Sequence, residues 1–292
     1  MSQCRRSTRK CSATSAAGFT ILELLLVVLL MSVAIATTSG MFLASKQQMV
    51  LQQDQLETTQ AARAAVDSIV RDLRLSGACL PSTGDFISLS GVNNGTSDQI
   101  TTRTGLTQPN LACVQTVIPI GSTLHAGDST VPVQSTTGFT TGMRAYIRNA
   151  VGTGEYFDIT GVPSATQLTK SQTLTQDYPA TSGIYAVDER TYYLDTWTSP
   201  SHGAQPELVL RVGDQTPQSF AVDIESLNIQ YQLARNCPPC DVIDLPASSS
   251  DWSIVEAVVL TLTARSEQTD LTGNYYRRTV SVKVKPRNLL PP

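Results

Sequence analysis

Gly18-Phe19-Thr20-Ile21-Leu22-Glu23-Leu24-Leu25 separates two stretches of opposite character. Upstream, Met1 to Gly18 carries Arg5, Arg6, Arg9 and Lys10 and no acidic residue. Downstream, the 26 residues from Phe19 to Ala44 contain one charged side chain, Glu23. As a helix this run spans roughly 39 Å, against an apolar bilayer core of about 30 Å. A secretory signal peptide has an apolar core of about 7 to 15 residues with its cleavage site behind it. Here the run is longer and the junction precedes it. A plain single-pass anchor fits the length, and the basic leader holds the N-terminus in the cytoplasm. Such an anchor leaves Glu23 unexplained, because a carboxylate inside the membrane costs a few kcal/mol and is a functional candidate by default.

The basic leader, the Gly18–Phe19 junction and the acid at the fifth position after it resemble the class III signal of type IV prepilins and pseudopilins. The resemblance implies that a prepilin peptidase in the membrane removes residues 1–18 and that the new N-terminal Phe19 is N-methylated. It also implies that Glu23 meets the α-amino group of Phe19 on a neighbouring subunit. That pair sets register and adds little net stability. The implied partners are other major and minor pilins.

The helical pattern continues past the apolar run. Lys46 to Leu75 has no Gly or Pro, is rich in Gln, Leu and Ala, and spaces Val66, Ile69, Val70 and Leu73 for one helix face. Met49 and Leu56 extend that face loosely, so the second half of the helix is expected to pack on a head and the first half to protrude. Gly77 is the stop signal. Gly40 interrupts the apolar part, either as a helix-weakening point or as an ordinary glycine of a membrane helix.

After Gly77 the pattern turns to period two. Strands are expected at Phe86 to Leu89, Gln99 to Thr102 and Val114 to Ile120, separated by turn-prone Asn93-Asn94-Gly95 and Gln108-Pro109-Asn110. Residues 121–183, dense in Thr, Ser and Gly, read as a small inserted all-β module with strands at Thr130 to Gln134, Met143 to Arg148, Glu155 to Thr160 and Gln167 to Lys170. The main sheet then resumes at Ile184 to Asp195, Glu207 to Val212 and Val222 to Leu233, with a bulge near Ser226 where the apolar phase shifts. Ile254 to Ala264 and Thr279 to Lys285 complete it. The expected fold class is α+β. A long N-terminal α-helix (19–76), membrane-spanning in its first half, packs on an antiparallel β-rich pilin head (77–292) that contains the 121–183 module.

Val70-Arg71-Asp72-Leu73-Arg74-Leu75-Ser76-Gly77, Ile224-Glu225-Ser226-Leu227-Asn228-Ile229-Gln230-Tyr231 and Val280-Ser281-Val282-Lys283-Val284-Lys285-Pro286-Arg287-Asn288 resemble a PilW-type minor pilin. The resemblance implies a subunit that primes type IV pilus assembly with other minor pilins and sits at or near the tip. Its location would be the inner membrane, with the head in the periplasm, and then the pilus at the cell surface. The nearest rival is the J-type minor pseudopilin of type II secretion, which shares the stalk and a β-rich head. A tip adhesin or DNA-capture subunit is another, with the module as its binding surface.

Charge disfavours general nucleic-acid binding. The chain has net charge -3, and without the four leader positives 17 basic residues face 24 acidic ones. Lys283, Lys285 and Arg287 form a stripe that Arg277 extends, read as a solvated strand face. The two histidines, His125 and His202, belong to no zinc-protease motif, and no Gly-x-Ser-x-Gly elbow or Walker loop occurs. Asp241, Asp244 and Asp251 lack the spacing of a calcium loop. A non-catalytic chain without cofactor or metal is therefore expected. Cys4 and Cys11 leave with the leader, so Cys79, Cys113, Cys237 and Cys240 remain as candidate disulfides in an oxidising compartment. Four cysteines allow three pairings; locality favours Cys79 with Cys113 and Cys237 with Cys240. The Cys237-Pro-Pro-Cys240 spacing also occurs in redox and zinc motifs, but no second ligand pair accompanies it.

Overall fold

Helix α1 runs unbroken from Ile21 to Leu75 in the computed structural model, which describes residues 19–110, 112–199, 203–235, 237, 239–270 and 272–288. Local chemistry sets both of its ends. At the start, the Thr20 hydroxyl accepts a hydrogen bond from the Glu23 N–H at 3.2 Å, an N-cap that satisfies one of the first free donors. At the end, Gly77 takes a positive φ of 82°, the left-handed residue that commonly closes a helix. Gly77 also has no room for a side chain, since a Cβ there would lie 2.8 Å from the Asn288 carbonyl oxygen. Gly40 lies within the helix and does not interrupt it.

The chain divides into two units, Met1–Gln53 and Asp54–Pro292. In the first, the apolar stretch of α1 makes this the one helix among the described residues long and apolar enough to cross a membrane. In the second, the part of α1 from Asp54 to Leu75 joins two antiparallel sheets. The larger sheet contains β1 (Leu89–Val92), β2 (Gln99–Gly105), β3 (Gln115–Val117), β4 (Thr130–Pro132), β5 (Arg144–Arg148), β6 (Gly154–Ser164), β7 (Gln167–Lys170), β8 (Gly183–Ser199), β9 (Gly203–Val212) and β10 (Gln218–Val222). The smaller is ordered β12-β11-β13-β14, from β11 (Ile224–Leu233), β12 (Val242–Ile243), β13 (Val255–Thr269) and β14 (Tyr275–Val284). A short helix α2 (Ser249–Ser253), capped by Ser248, precedes β13.

The single main sheet suggested by the sequence is thus two sheets, and Asp223 is where the chain passes from one to the other. It sits between β10 and β11 with φ of 60°, a conformation costly for a non-glycine residue. Its carbonyl accepts the Arg265 N–H at 2.9 Å. The phase shift seen in the sequence is this crossing together with a register shift between Ile224 and Ser226. The first strand is also displaced. Phe86 lies ahead of β1 and packs its ring on Tyr146 at 4.8 Å, so the pleat begins only at Leu89.

Strand β8 organises the larger sheet. Its first residues pair with β3 and β5, and its later ones with β2 and β9. Two hydrophobic clusters follow. One joins Ala62, Val66, Ile69 and Leu73 of α1 with Tyr192, Ile229, Leu260 and Leu262. Each such aliphatic side chain contributes about 1.5–3 kcal/mol when fully buried. The other is drawn from Val114 to Ala186 and includes Leu124, Phe157, Leu168 and Tyr178. β8 feeds both, through Ile184 and Ala186 near its start and Tyr192 farther along.

Polar contacts fix α1 on this unit at two heights. Asp54 accepts hydrogen bonds from the backbone N–H groups of Glu267 and Gln268, both at 3.2 Å. Near the other end, buried Asp72 accepts from the Tyr192 hydroxyl at 2.7 Å and pairs with Arg190 at 3.3 Å. Burial, aided by the hydrogen bond to Asp72 and opposed by the contact with Ser68, pushes the Tyr192 hydroxyl up to about 12. Another buried carboxylate, Asp98, accepts the N–H groups of Ile229 at 2.8 Å and Asn94 at 2.9 Å, tying the turn before β2 to β11.

Candidate functional site

Thr20-Ile21-Leu22-Glu23 has the form of a capping box, in which a hydroxyl and an acid three residues later bracket the first helical turn. The structure shows the hydroxyl half of that arrangement, with Thr20 bonded to the Glu23 N–H. The Glu23 side chain makes no hydrogen bond or ion pair among the described residues. It therefore stands free in the first turn, where the positive end of the helix dipole favours a carboxylate. Phe19 and the apolar side chains that follow are exposed, with Phe19 at 81%. Gly18, the leader around it with Cys4 and Cys11, and His202 lie outside the described residues.

The four remaining cysteines form two bridges, Cys79–Cys113 and Cys237–Cys240. The first joins the segment just after α1 to the residue two before β3. There the Gly77 N–H also reaches the Arg103 carbonyl at 2.8 Å, and the Gly105 N–H reaches the Ala78 carbonyl at 2.7 Å. The sulfur of Cys240 lies 3.4 Å from Glu256 Oε2. Cys237, Cys240 and Glu256 place one potential ligand atom each within 4.8 Å of one another. Metal ligation requires thiolates, and in the bridge the sulfurs are bonded to each other. Glu256 is further engaged by Lys285, whose ammonium holds its carboxyl below the usual range.

The acidic loop is internally neutralised. Arg235 bridges Asp241 at 2.9 Å and Asp251 at 2.8 Å, and Asp244 accepts from Gln230 at 3.0 Å. The basic stripe is divided. Arg277 is paired with Glu225 through two bonds and Lys285 with Glu256, whereas Arg287, beyond the end of β14, joins Arg71 and Arg74 around a groove beside α1. Sequence spacing could not show that grouping, because it depends on how the chain end folds back to α1. His125 pairs with Asp177 at 2.9 Å on the surface, and that hydrogen bond and charge raise its pKa above the ordinary histidine value. No constellation of nucleophile, base and orienting group accompanies it among the described residues.

Comparison with protein-family models and with curated proteins finds no match to this chain. The long apolar N-terminal helix followed by a β-rich head is compatible with a pilin-like fold, and the exposed apolar stretch is consistent with a single-pass anchor.

Proposed function

We propose that this chain is a PilW-type minor pilin, a non-catalytic structural subunit that helps prime type IV pilus assembly and sits at or near the pilus tip. The observation that carries the proposal is the start of α1. One acid, Glu23, is unpaired among the described residues in the first turn of a helix whose first half is otherwise apolar, five residues after Gly18. A plain anchor has no use for such a group. A chain that begins at Phe19 supplies one, because the new α-amino group and the carboxylate compensate each other when subunits pack side by side. The antiparallel head that follows the helix agrees with this reading.

Co-expression with a prepilin peptidase tests it. The mature protein should start at N-methyl-Phe19 by mass spectrometry, and Gly18→Ala should be poorly cut; an unprocessed protein on intact pili would overturn the proposal. Deleting the gene and scoring pili and secreted proteins in one strain separates the pilus subunit from a type II secretion pseudopilin. Lost pili with intact secretion supports the former.

A further inference from the structure

The groove where the end of α1 meets the end of the chain has a volume of about 520 Å³ and is lined by Arg71, Arg74 and Arg287, with Asp67 at one margin. Its floor is apolar, formed in part by Val70 and Val282 and by Leu75, which is 48% exposed. We propose that this groove seats an acidic segment of a partner protein, one or more carboxylates flanking an aliphatic side chain.

Charge is the first argument. Arg74 and Arg287 make no hydrogen bond or ion pair among the described residues. The Arg71 side chain is 67% exposed and among the described residues pairs only with Asp72, at 3.8 Å, a carboxylate already held by Tyr192 and Arg190. Basic residues in the last turns of a helix offset its negative end, which accounts for Arg71 and Arg74. It does not account for Arg287. That residue is brought in from the opposite end of the sequence, beside Asn288, whose side-chain amide donates to the Ser76 carbonyl at 3.5 Å. Three like charges are thereby gathered in a chain whose residues 19–292 carry 17 basic and 24 acidic groups. Guanidinium forks match carboxylates in pairs of parallel hydrogen bonds, which relieves their mutual repulsion.

The floor decides between occupants. Single-stranded nucleic acid is held by stacking its bases on aromatic side chains, and no aromatic residue lines this groove. A polyanion also meets the net negative charge of the rest of the chain. An acidic peptide with a Leu, Ile or Val fits both the guanidiniums and the exposed Leu75. Asp67 sets polarity, since it repels a carboxylate at its own margin.

Site-directed crosslinking in the full-length chain, expressed in its own host, tests the proposal. Leu75→p-benzoylphenylalanine is illuminated and the adduct mapped by mass spectrometry. The expected adduct is a protein segment whose attachment point lies beside Asp or Glu. Yield should fall about tenfold in Arg74→Glu/Arg287→Glu, as expected for losing charge-assisted bonds. Changing the mapped acid to Lys should restore it. The milder Arg74→Gln/Arg287→Gln pair, with unchanged thermal unfolding, separates lost binding from lost folding. An adduct with nucleic acid or lipid, a protein adduct indifferent to charge reversal, or no adduct would overturn the inference. The inference does not rest on the pilin reading, because a mapped partner without an apolar N-terminal helix supports the groove and argues against that reading.

Discussion

Asp72→Ala should loosen α1 from the larger sheet by an amount that can be worked out from its contacts. Asp72 is 7% exposed, and the hydroxyl it accepts belongs to Tyr192, which is fully buried. Truncation leaves that hydroxyl only the longer contact with the Ser68 hydroxyl at 3.3 Å, at a cost of about 1–3 kcal/mol. The ion pair with Arg190 adds less. Arg190 is 32% exposed and keeps Asp188 at 3.0 Å, so its contribution is discounted to about 0.5–1 kcal/mol. The expected loss is about 1.5–4 kcal/mol, or a fall in Tm of roughly 3–16 °C for a unit of this size. Thermal unfolding of the detergent-solubilised chain, followed by near-ultraviolet circular dichroism, measures it. Tyr192→Phe removes the hydroxyl that Asp72 accepts, so Asp72→Ala/Tyr192→Phe should be less destabilised than the sum of the single variants by about 1–2 kcal/mol. Asp67→Ala, at an exposed position of the same helix, is the control and should shift stability by less than about 0.5 kcal/mol. An Asp72→Ala variant indistinguishable from that control, or strict additivity with Tyr192→Phe, would refute the clamp.

Glu23→Ala should still enter the membrane, more readily without the carboxylate, and should be recovered less in assembled pili; equal recovery shows the acid to be dispensable. Replacing both Cys79 and Cys113 with Ser should cost about 4 kcal/mol in the chain-entropy account, against about 2 for the Cys237 and Cys240 pair, and denaturant midpoints of the two variants should keep that order. His125 should titrate above the ordinary histidine value because Asp177 stabilises its protonated form. A raised folded-state pKa gives stability that is complete below about pH 6.5 and is lost as pH rises through the folded value. Nuclear magnetic resonance titration should show the His125 pKa falling back in Asp177→Asn, and an unmoved pKa would reject the pairing.

The helix was legible because its signals are local and redundant. An apolar run, a Gly- and Pro-free continuation, a three-to-four spacing and a terminal Gly77 all point to one element. Thr20 could also have been recognised, since a hydroxyl followed three positions later by an acid marks a helix start. The strands were legible as segments, but their sheet membership was not. Pairing is decided by residues far apart in sequence, as where Asp223 turns the chain from β10 into β11. Composition placed a boundary at Gly121 and Gly183, whereas the second hydrophobic cluster also takes Val114, Ile118, Ile184 and Ala186 from outside those limits. Burial follows side-chain contact, and the Thr- and Ser-rich texture of a segment does not report it. Arg287 illustrates the same limit. Its spacing groups it with Lys283 and Lys285, while the backbone past Pro286 carries it to α1.

The Cys79–Cys113 bridge gives the chain an asymmetric response to tension. Pulling on α1 from its N-terminal end transmits force to Leu75, through Gly77 to Cys79, and then across the sulfur bond to Cys113 beside β3. The intervening segment, with β1 and β2, lies outside this covalent route. The two cysteines are 34 positions apart, so about 115 Å of potential extension is withheld. A reducing environment would release that hidden length and allow β1 and β2 to be peeled away in sequence, whereas in the oxidised chain the tug passes directly to β3 and its partner β8.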